Sequence, residues 1–218
     1  MVDEWTKTIL EIDLIDGIKH GMCVSNLTYL IAKKLGLDNE ACNNLAIAGM
    51  VHDIGKLRLS SYLYGRNSNG MIIEEIRYMR MHSRLGYDIL KENGYNNAIC
   101  EAVLYHHENY DGSGYPDNRK AEQIPLGARI MHVADAFIAL ISERPYREAF
   151  DFDSAIGIMI EDVKEFDMQV FLAFMDVIHE DGVFDRIKQS QSSIAEGEAI
   201  FINSKILCLT GLSRASPQ

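Results

Sequence analysis

Apolar residues recur at every third or fourth position through most of this chain of 218 residues. The spacing is clearest in residues 9–37, ILEIDLIDGIKHGMCVSNLTYLIAKKLGL, where it is typical of an amphipathic helix. No β-hairpin and no strand–helix–strand pattern is visible in the body of the chain. The sequence therefore predicts an all-α fold, a single helical bundle over residues 1–190. For the C-terminal extension, residues 191–218, a strand pair, a packed segment and a frayed tail all stay open.

Glycines and polar stretches divide the pattern into separate helices. Gly36 ends the first helix, and Asp38 is suited to cap the second. We expect that second helix to run through ACNNLAIAGMVHDIGKL, residues 41–57. A polar loop precedes one long helix over residues 71–94. Further helices are predicted over 96–107, 124–142, 153–165 and 168–181, and the glycine-rich stretch HENYDGSGYPDNRK, residues 107–120, is predicted to be a loop.

The charge balance limits the partners of the chain. Acidic residues outnumber basic ones by 32 to 21, for a net charge of −11. An acidic surface repels nucleic acid polymers and anionic membranes, so we expect neither as a partner. We also find no membrane span and no secretion signal, and the four separated cysteines fit a reducing compartment, so we expect a cytoplasmic protein. A phosphate-bearing substrate would need cations gathered at one place.

Two histidine clusters are candidates for such a place. His52 and Asp53 are adjacent in a predicted helix, and Lys56 follows one turn later on the same side. One side chain of the pair could bind a metal ion while the next bridges to a second ion. A capped helix end with a lysine near the dipole explains the same residues equally well. His106 and His107, at the end of a helix, could aim at neighbouring ions, and the alternative there is an exposed polar turn.

Three further residues could join these clusters. His20 and His82 lie in the middle of predicted helices, where a single histidine is more often a core residue than a ligand. Asp135 lies in the apolar run HVADAFIAL, and a buried carboxylate needs a cation or hydrogen-bond donors. We assign His132 to packing or to support of the ligands, and His179 to solvent.

Taken in order, these residues resemble a known ligand pattern. H…HD…H…HH…D is similar to that of the HD phosphohydrolase superfamily, and HHENYDGSGYP, residues 106–116, matches the HHExxDGxGYP signature of the HD-GYP family at every defined position. HDIGK, IPLGARI, VADAF and RPYR also resemble that family, in the same order, and the resemblance covers residues 12–180. It implies an HD-type helical bundle with a metal cluster in its centre. It also implies hydrolysis of the bacterial messenger cyclic di-GMP to pGpG and often onwards to GMP.

The resemblance further implies a role for each matching position. Lys56 and Asp53 would be catalytic, Arg144 and Arg147 would contact substrate phosphate, and Tyr115 would lie on the substrate side, displayed at the surface by its loop. The implied ligands of two or three iron or manganese ions are His20, His52, Asp53, His82, His106, His107 and Asp135, with Asp53 as the bridge. Asp16 stands where some members carry a glutamate that adds a third ion, so the metal count stays open. Ile138 replaces an aspartate found in many members.

Two metal ions about 3.5–4 Å apart would lower the pKa of a bridging water and hold the phosphoryl oxygens.

Residues 107–120, here named the GYP loop, could also contact GGDEF-type diguanylate cyclases or a sensor domain. Two rival interpretations remain at this point. The first is an HD hydrolase that acts on another cyclic or linear nucleotide. The second is a catalytically silent module that binds a dinucleotide or docks onto a partner.

Overall fold

The computed structural model describes residues 4–63, 77–144 and 147–192. Within these ranges all regular elements are helical, apart from one antiparallel bridge between Arg144 and Arg147. The helices are α1 (Glu4–Lys34), α2 (Asn39–Val51), α3 (Lys56–Leu63), α4 (His82–Glu92), α5 (Asn97–Tyr105), α6 (Leu126–Ile141), α7 (Phe152–Glu161), α8 (Met168–Ile178) and α9 (Val183–Ser192), with short 3₁₀ turns at Ala121–Gln123 and Val163–Glu165. The all-α prediction is confirmed. The division at residue 190 stays a prediction, because residues 193–218 lie outside the described ranges.

Local capping fixes where the helices begin and end. Gly36 adopts a φ of +80° just after α1, a left-handed conformation that suits glycine at a helix end. The Asp38 carboxylate accepts a hydrogen bond of 2.8 Å from the backbone N–H of Ala41 and so caps α2 as predicted. Asn96 caps α5 in the same way, with 3.0 Å to the N–H of Ile99. The turn between α1 and α2 and the turn between α4 and α5 are therefore sharply defined.

Helix α1 lies against much of the bundle. It packs on α2, α6, α8 and α9. Leu27 and Ile31 of α1, Phe137 of α6 and Phe174 of α8 are completely buried, and each such side chain contributes about 1.5–3 kcal/mol to folding. The Phe137 and Phe174 rings lie 5.0 Å apart, a common distance for aromatic pairs. This ring pair joins α6 to α8. Among the described residues, no helix is both long and apolar enough to cross a membrane.

Two of the predicted helices are each interrupted at a candidate ligand. The helix expected over 41–57 ends at Val51, residues 52–55 form a turn, and α3 begins at Lys56. In that turn the N–H of Ile54 bonds to the carbonyl of Val51, three residues back, which is a tight 3₁₀-type bond. The long helix expected over 71–94 is also wrong, because the helical residues 77–79 end before a turn and α4 begins only at His82. Residues 64–76 lie outside the described ranges.

Candidate metal centre

The structure brings the seven predicted metal ligands into one group, which we name the ligand cluster. Five segments of the chain supply them: α1, the turn after α2, the start of α4, the end of α5 and the middle of α6. The cluster contains three overlapping sets whose ligand atoms all lie within 4.8 Å of one another: His82, His106 and His107; His20, His52 and Asp135; and His52, Asp53 and His106. Because two histidines belong to two sets each, the three sets form one continuous site.

Three of the histidines are oriented by the same backbone contact. The Nδ1 atoms of His52, His82 and His106 lie 2.8, 2.6 and 2.7 Å from the carbonyl oxygens of the residues three positions earlier, Gly49, Met79 and Val103. Because a carbonyl can only accept, each Nδ1 carries the proton and donates it. Each Nε2 is then left with its lone pair, and this is the tautomer that a metal-binding histidine needs. All three lie at helix ends, where the chain turns and such contacts can form.

The two aspartates lie between the histidines. Asp135 Oδ1 is 2.8 Å from His20 Nε2 and 3.5 Å from His52 Nε2. Asp53 Oδ2 is 3.4 Å from His52 Nε2, while its Oδ1 is 3.4 Å from His82 Nε2. The two oxygens of Asp53 therefore lie towards different histidines. This is the arrangement expected of the bridging ligand predicted for this position.

Unsatisfied polar atoms show that the cluster suits a cation. His52 Nε2, Asp53 Oδ1 and His20 Nδ1 are buried without a hydrogen-bond partner in the described part of the chain, and such atoms are costly when nothing compensates them. His82 Nε2 and His106 Nε2 lie only 3.3 Å apart. Since both rings use their Nδ1 protons elsewhere, two lone pairs face each other there. A divalent ion among the Nε2 atoms and Asp53 Oδ1 would satisfy these atoms, and imidazole with carboxylate is a ligand set that iron, manganese and zinc accept.

The pKa values of the cluster residues also indicate that the cluster suits a cation. Burial lowers the pKa of His82, His106 and His107, and that of His107 falls to about 3, so these rings are neutral ligands at pH 7. His52 differs: burial acts to lower its pKa, but the charges and contacts of Asp53 and Asp135 raise it to about 10. Without a metal ion, the two carboxylates therefore favour a positive charge at His52.

Lys56 lies directly beside the bridge position. Its Nζ is 2.5 Å from Asp53 Oδ2, and its side chain is 40% exposed. Burial alone would raise the pKa of Asp53, but the nearby Lys56 and His52 charges hold it well below its usual value. Asp53 is thus ionised, and Lys56 supplies a cation that also reaches solvent. The sequence left open whether Lys56 belongs to a capped helix end or has a functional role. Its contact with Asp53 favours the functional role.

Glu108 anchors the GYP loop. Its carboxylate is buried and accepts hydrogen bonds from the backbone N–H groups of Asp117, at 2.7 Å, and Arg119, at 2.9 Å. The loop also folds closely onto the residues that precede it, since a Cβ at Gly114 would lie 2.4 Å from the His107 carbonyl oxygen. Glu108 therefore fixes the loop against the cluster. Sequence reasoning missed this role, because nothing in the sequence shows which N–H groups will return to that carboxylate.

The GYP loop places Tyr115 against the ligand cluster. Its ring stacks on His107 with centroids 4.8 Å apart and planes at 28°. The side chain is half-buried, and burial raises the pKa of the phenol. The loop therefore displays Tyr115 only in part, because its ring packs on His107. A contact between this residue and the substrate stays a prediction.

Arg144 and Arg147 line a separate cavity of about 370 Å³ whose wall includes none of the seven cluster residues. His132 connects the two places: it lines this cavity and its Nδ1 donates to the backbone carbonyl of His106 at 3.0 Å. This contact agrees with the supporting role assigned to His132. Arg147 already donates to the carbonyls of Ala139, at 2.7 Å, and Leu140, at 3.2 Å, so it stabilises the end of α6 as well.

Three other positions singled out in the sequence lie outside the ligand cluster. Asp16 is exposed, and it joins none of the ligand sets found among the described residues. Its role for a third ion therefore stays a prediction. Ile138 is completely buried in the apolar core, which agrees with leaving that position out of the ligand set. His179 is exposed, as expected of a solvated histidine.

A family model described as "HD domain" matches residues 4–170. The chain belongs to the HD domain family. Its resemblance to the HD-GYP branch is also confirmed: it is 39% identical over 136 residues to the "Cyclic di-GMP phosphodiesterase response regulator RpfG" of Xanthomonas campestris, an alignment covering 62% of this chain and 36% of that protein.

Other relatives of this HD domain differ in what their names state. The chain is 34% identical over 155 residues to the "3'3'-cGAMP-specific phosphodiesterase 1" of Vibrio cholerae, covering 70% of this chain and 36% of that protein. The chain thus spans little more than a third of the length of these two relatives. Among solved structures, the cyclic GMP-AMP phosphodiesterase V-cGAP3 of V. cholerae matches 95% of this chain and 61% of its own, with a TM-score of 0.66 and 16% identity. At that identity, the likeness confirms the HD-type helical fold alone.

Proposed function

We propose that this HD domain is a metal-dependent phosphodiesterase that hydrolyses cyclic di-GMP to linear pGpG, with GMP as a further product to be tested. The observation that carries the proposal is the ligand cluster, in which seven imidazole and carboxylate side chains from five segments meet. We propose iron or manganese as the metal, because histidine–carboxylate sets accept both. We propose two or three ions as the count.

The residues of the cluster fit the requirements of phosphodiester hydrolysis. Divalent ions held here would supply a nucleophile at neutral pH and a sink for negative charge. The neutral imidazoles of His82, His106 and His107 would hold them, while ionised Asp53 would bridge. Lys56 reaches solvent beside Asp53, so its ammonium can neutralise charge that develops on a phosphoryl oxygen. The ring of Tyr115 stacks on His107 at the edge of the cluster.

The proposal also specifies which cyclic dinucleotide is the substrate. Some relatives are named for cyclic di-GMP and others for 3'3'-cGAMP. The intact GYP loop and the resemblance it carries favour cyclic di-GMP. Hydrolysis of another nucleotide and a silent binding module are the two alternatives. A cytoplasmic location, and a GGDEF-type cyclase or a sensor domain as partner of the GYP loop, stay predictions.

Anaerobic purification, elemental analysis and a hydrolysis panel test this proposal together. We expect bound iron or manganese and turnover of cyclic di-GMP that exceeds turnover of cyclic GMP-AMP and dGTP. Faster turnover of cyclic GMP-AMP or dGTP would replace the substrate but keep the enzyme class. Tight dinucleotide binding by the metal-loaded protein without any product would contradict the enzyme and favour the silent module.

Replacing Arg144 and Arg147 by alanine is expected to raise KM for cyclic di-GMP with little change in metal content. Each lost charge-assisted hydrogen bond is worth about 1.5–3 kcal/mol, so the increase for Arg144→Ala alone should be about tenfold or more. Arg147→Ala should also lower the melting temperature, because the carbonyls of Ala139 and Leu140 lose the hydrogen bonds that the Arg147 guanidinium donates. Steady-state kinetics and elemental analysis are the measurements. An unchanged KM in the double variant would show that the phosphate contact lies elsewhere.

A further inference from the structure

We propose that Arg80, which neither the sequence motifs nor the ligand cluster includes, is a further substrate-binding residue. Its guanidinium would receive the phosphate of the cyclic dinucleotide that is not being cleaved. The inference rests on the proposed function, since it needs a substrate with two phosphates. It follows from the position of this side chain, from its lack of a partner and from the charge of the chain.

Arg80 lies at the mouth of the ligand cluster. Its guanidinium carbon is 5.2 Å from the centre of the Tyr115 ring. That ring lies 4.8 Å from the ring of His107 and 6.4 Å from the ring of His82. Arg80 is thus one ring away from two predicted metal ligands, and its side chain is exposed. A substrate that enters past Tyr115 would meet this cation.

The backbone on both sides of Arg80 is held by hydrogen bonds, one of which orients His82. It belongs to the turn between the helical residues 77–79 and α4. The carbonyl of Met79, just before it, accepts from His82 Nδ1 at 2.6 Å, and the N–H of Leu85 bonds to Met81 just after it at 3.0 Å. A guanidinium resting on an aromatic ring is also partly fixed by the cation–π attraction. Arg80 is therefore positioned before any ligand arrives, which reduces the entropy that binding would cost.

Three other cations of this region, Lys56, Arg84 and Arg119, already have partners. Lys56 contacts Asp53 at 2.5 Å, and Arg84 pairs with Asp117 at 3.2 Å. Arg119 donates to the hydroxyl of Tyr105 and lies over its ring. In the ranges that the structure describes, the side chain of Arg80 makes neither a hydrogen bond nor an ion pair. Its N–H donors are therefore available to a ligand, since its contact with Tyr115 is a cation–π contact and not a hydrogen bond.

A phosphate is the ligand that this environment favours. The chain carries a net charge of −11. A free guanidinium at the mouth is therefore a local positive charge on an acidic protein, and it would attract an anion. The planar guanidinium offers two parallel N–H donors that fit two oxygens of a phosphate. The cleaved phosphate belongs at the ligand cluster and Lys56. The second phosphate of the same ring is therefore the group within reach of Arg80, as a contact in addition to the one proposed for Arg144 and Arg147.

Arg80→Ala tests this assignment with two substrates. For cyclic di-GMP we expect KM to rise about tenfold or more, from the loss of one charge-assisted contact, while kcat changes by less than about threefold. For bis(p-nitrophenyl) phosphate, which has a single phosphate, we expect no change in either constant. Metal content should stay at the wild-type level. Arg80→Lys should restore part of the affinity for cyclic di-GMP, because the charge is kept and the fork geometry is lost.

Arg58→Ala is the matched control. Arg58 pairs with Glu92 at 3.0 Å, at the opposite end of α4 from His82, and α4 is about 15 Å long. This variant loses the same charge away from the mouth, and its KM should equal that of the wild type. An unchanged KM in Arg80→Ala, or an equal loss on both substrates, would overturn the assignment while wild-type turnover still supports the proposed function. If the wild type cleaves only bis(p-nitrophenyl) phosphate, the proposed substrate fails, and the assignment of Arg80 fails with it.

Discussion

Asp53→Ala is expected to abolish hydrolysis of cyclic di-GMP and to lower the metal content of the purified protein. The two oxygens of Asp53 lie 3.4 Å from His52 Nε2 and 3.4 Å from His82 Nε2, so they join two parts of the ligand cluster. Losing a residue that merely supports a metal ligand costs about 10–100-fold in activity or metal affinity, so the loss of a bridging ligand should exceed about 100-fold. Lys56 also loses its partner at 2.5 Å and with it a fixed position.

The measurements are initial rates on cyclic di-GMP and elemental analysis of the same preparation. Asp185→Ala is the matched control, because Asp185 is an exposed aspartate of α9 and should be replaced without loss of metal or rate. Asp16→Ala, compared in the same series, shows whether that residue holds a third ion: a lower metal count with Asp53 intact would support it. Wild-type rates in Asp53→Ala would eliminate the bridged mechanism proposed here.

The sequence predicted which residues would meet but not how they are held. The order of the histidines and aspartates was enough to name the cluster, since the resemblance fixes it position by position. Helical periodicity failed at His52 and His82, where it continued each helix through a turn. Apolar residues such as Ile54 keep the spacing of a helix across that turn, so the pattern carries no sign of the break. The break matters, because at these two helix ends the imidazole donates to a carbonyl three residues back while its Nε2 lies in the cluster.

Contacts between distant segments were beyond sequence reasoning for another reason. Glu108 and Tyr115 both take their roles from the way the GYP loop folds back, through N–H groups of Asp117 and Arg119 and through the ring of His107. Arg80 gains its significance from the same ring. Spacing along one helix or strand indicates which residues share a face. It does not indicate where a loop of irregular backbone will close, so these contacts required the structure.

Gly55→Ala is expected to lower both the stability and the metal content of the protein, although it adds only one methyl group. A Cβ at Gly55 would lie 2.0 Å from the carbonyl oxygen of His82 and 2.7 Å from the backbone nitrogen of Gly86. Both are backbone atoms, so no side chain can rotate away, and the turn after α2 must separate from the start of α4. That contact holds the His52–Asp53 pair beside His82. We therefore expect a loss of stability of about 3 kcal/mol, near the upper end for overpacking, and a large loss of bound metal.

Gly157→Ala separates this steric effect from the general effect of replacing a glycine. Gly157 lies in the exposed face of α7, and a Cβ there would meet no atom within 4 Å. Alanine in a helix interior is favoured over glycine by about 0.5–1 kcal/mol, so this variant should be slightly more stable and keep full activity. Urea denaturation and elemental analysis of both variants are the measurements. If Gly55→Ala retained wild-type stability and metal content, the close approach of the two turns would not be what aligns His52 and Asp53 with His82.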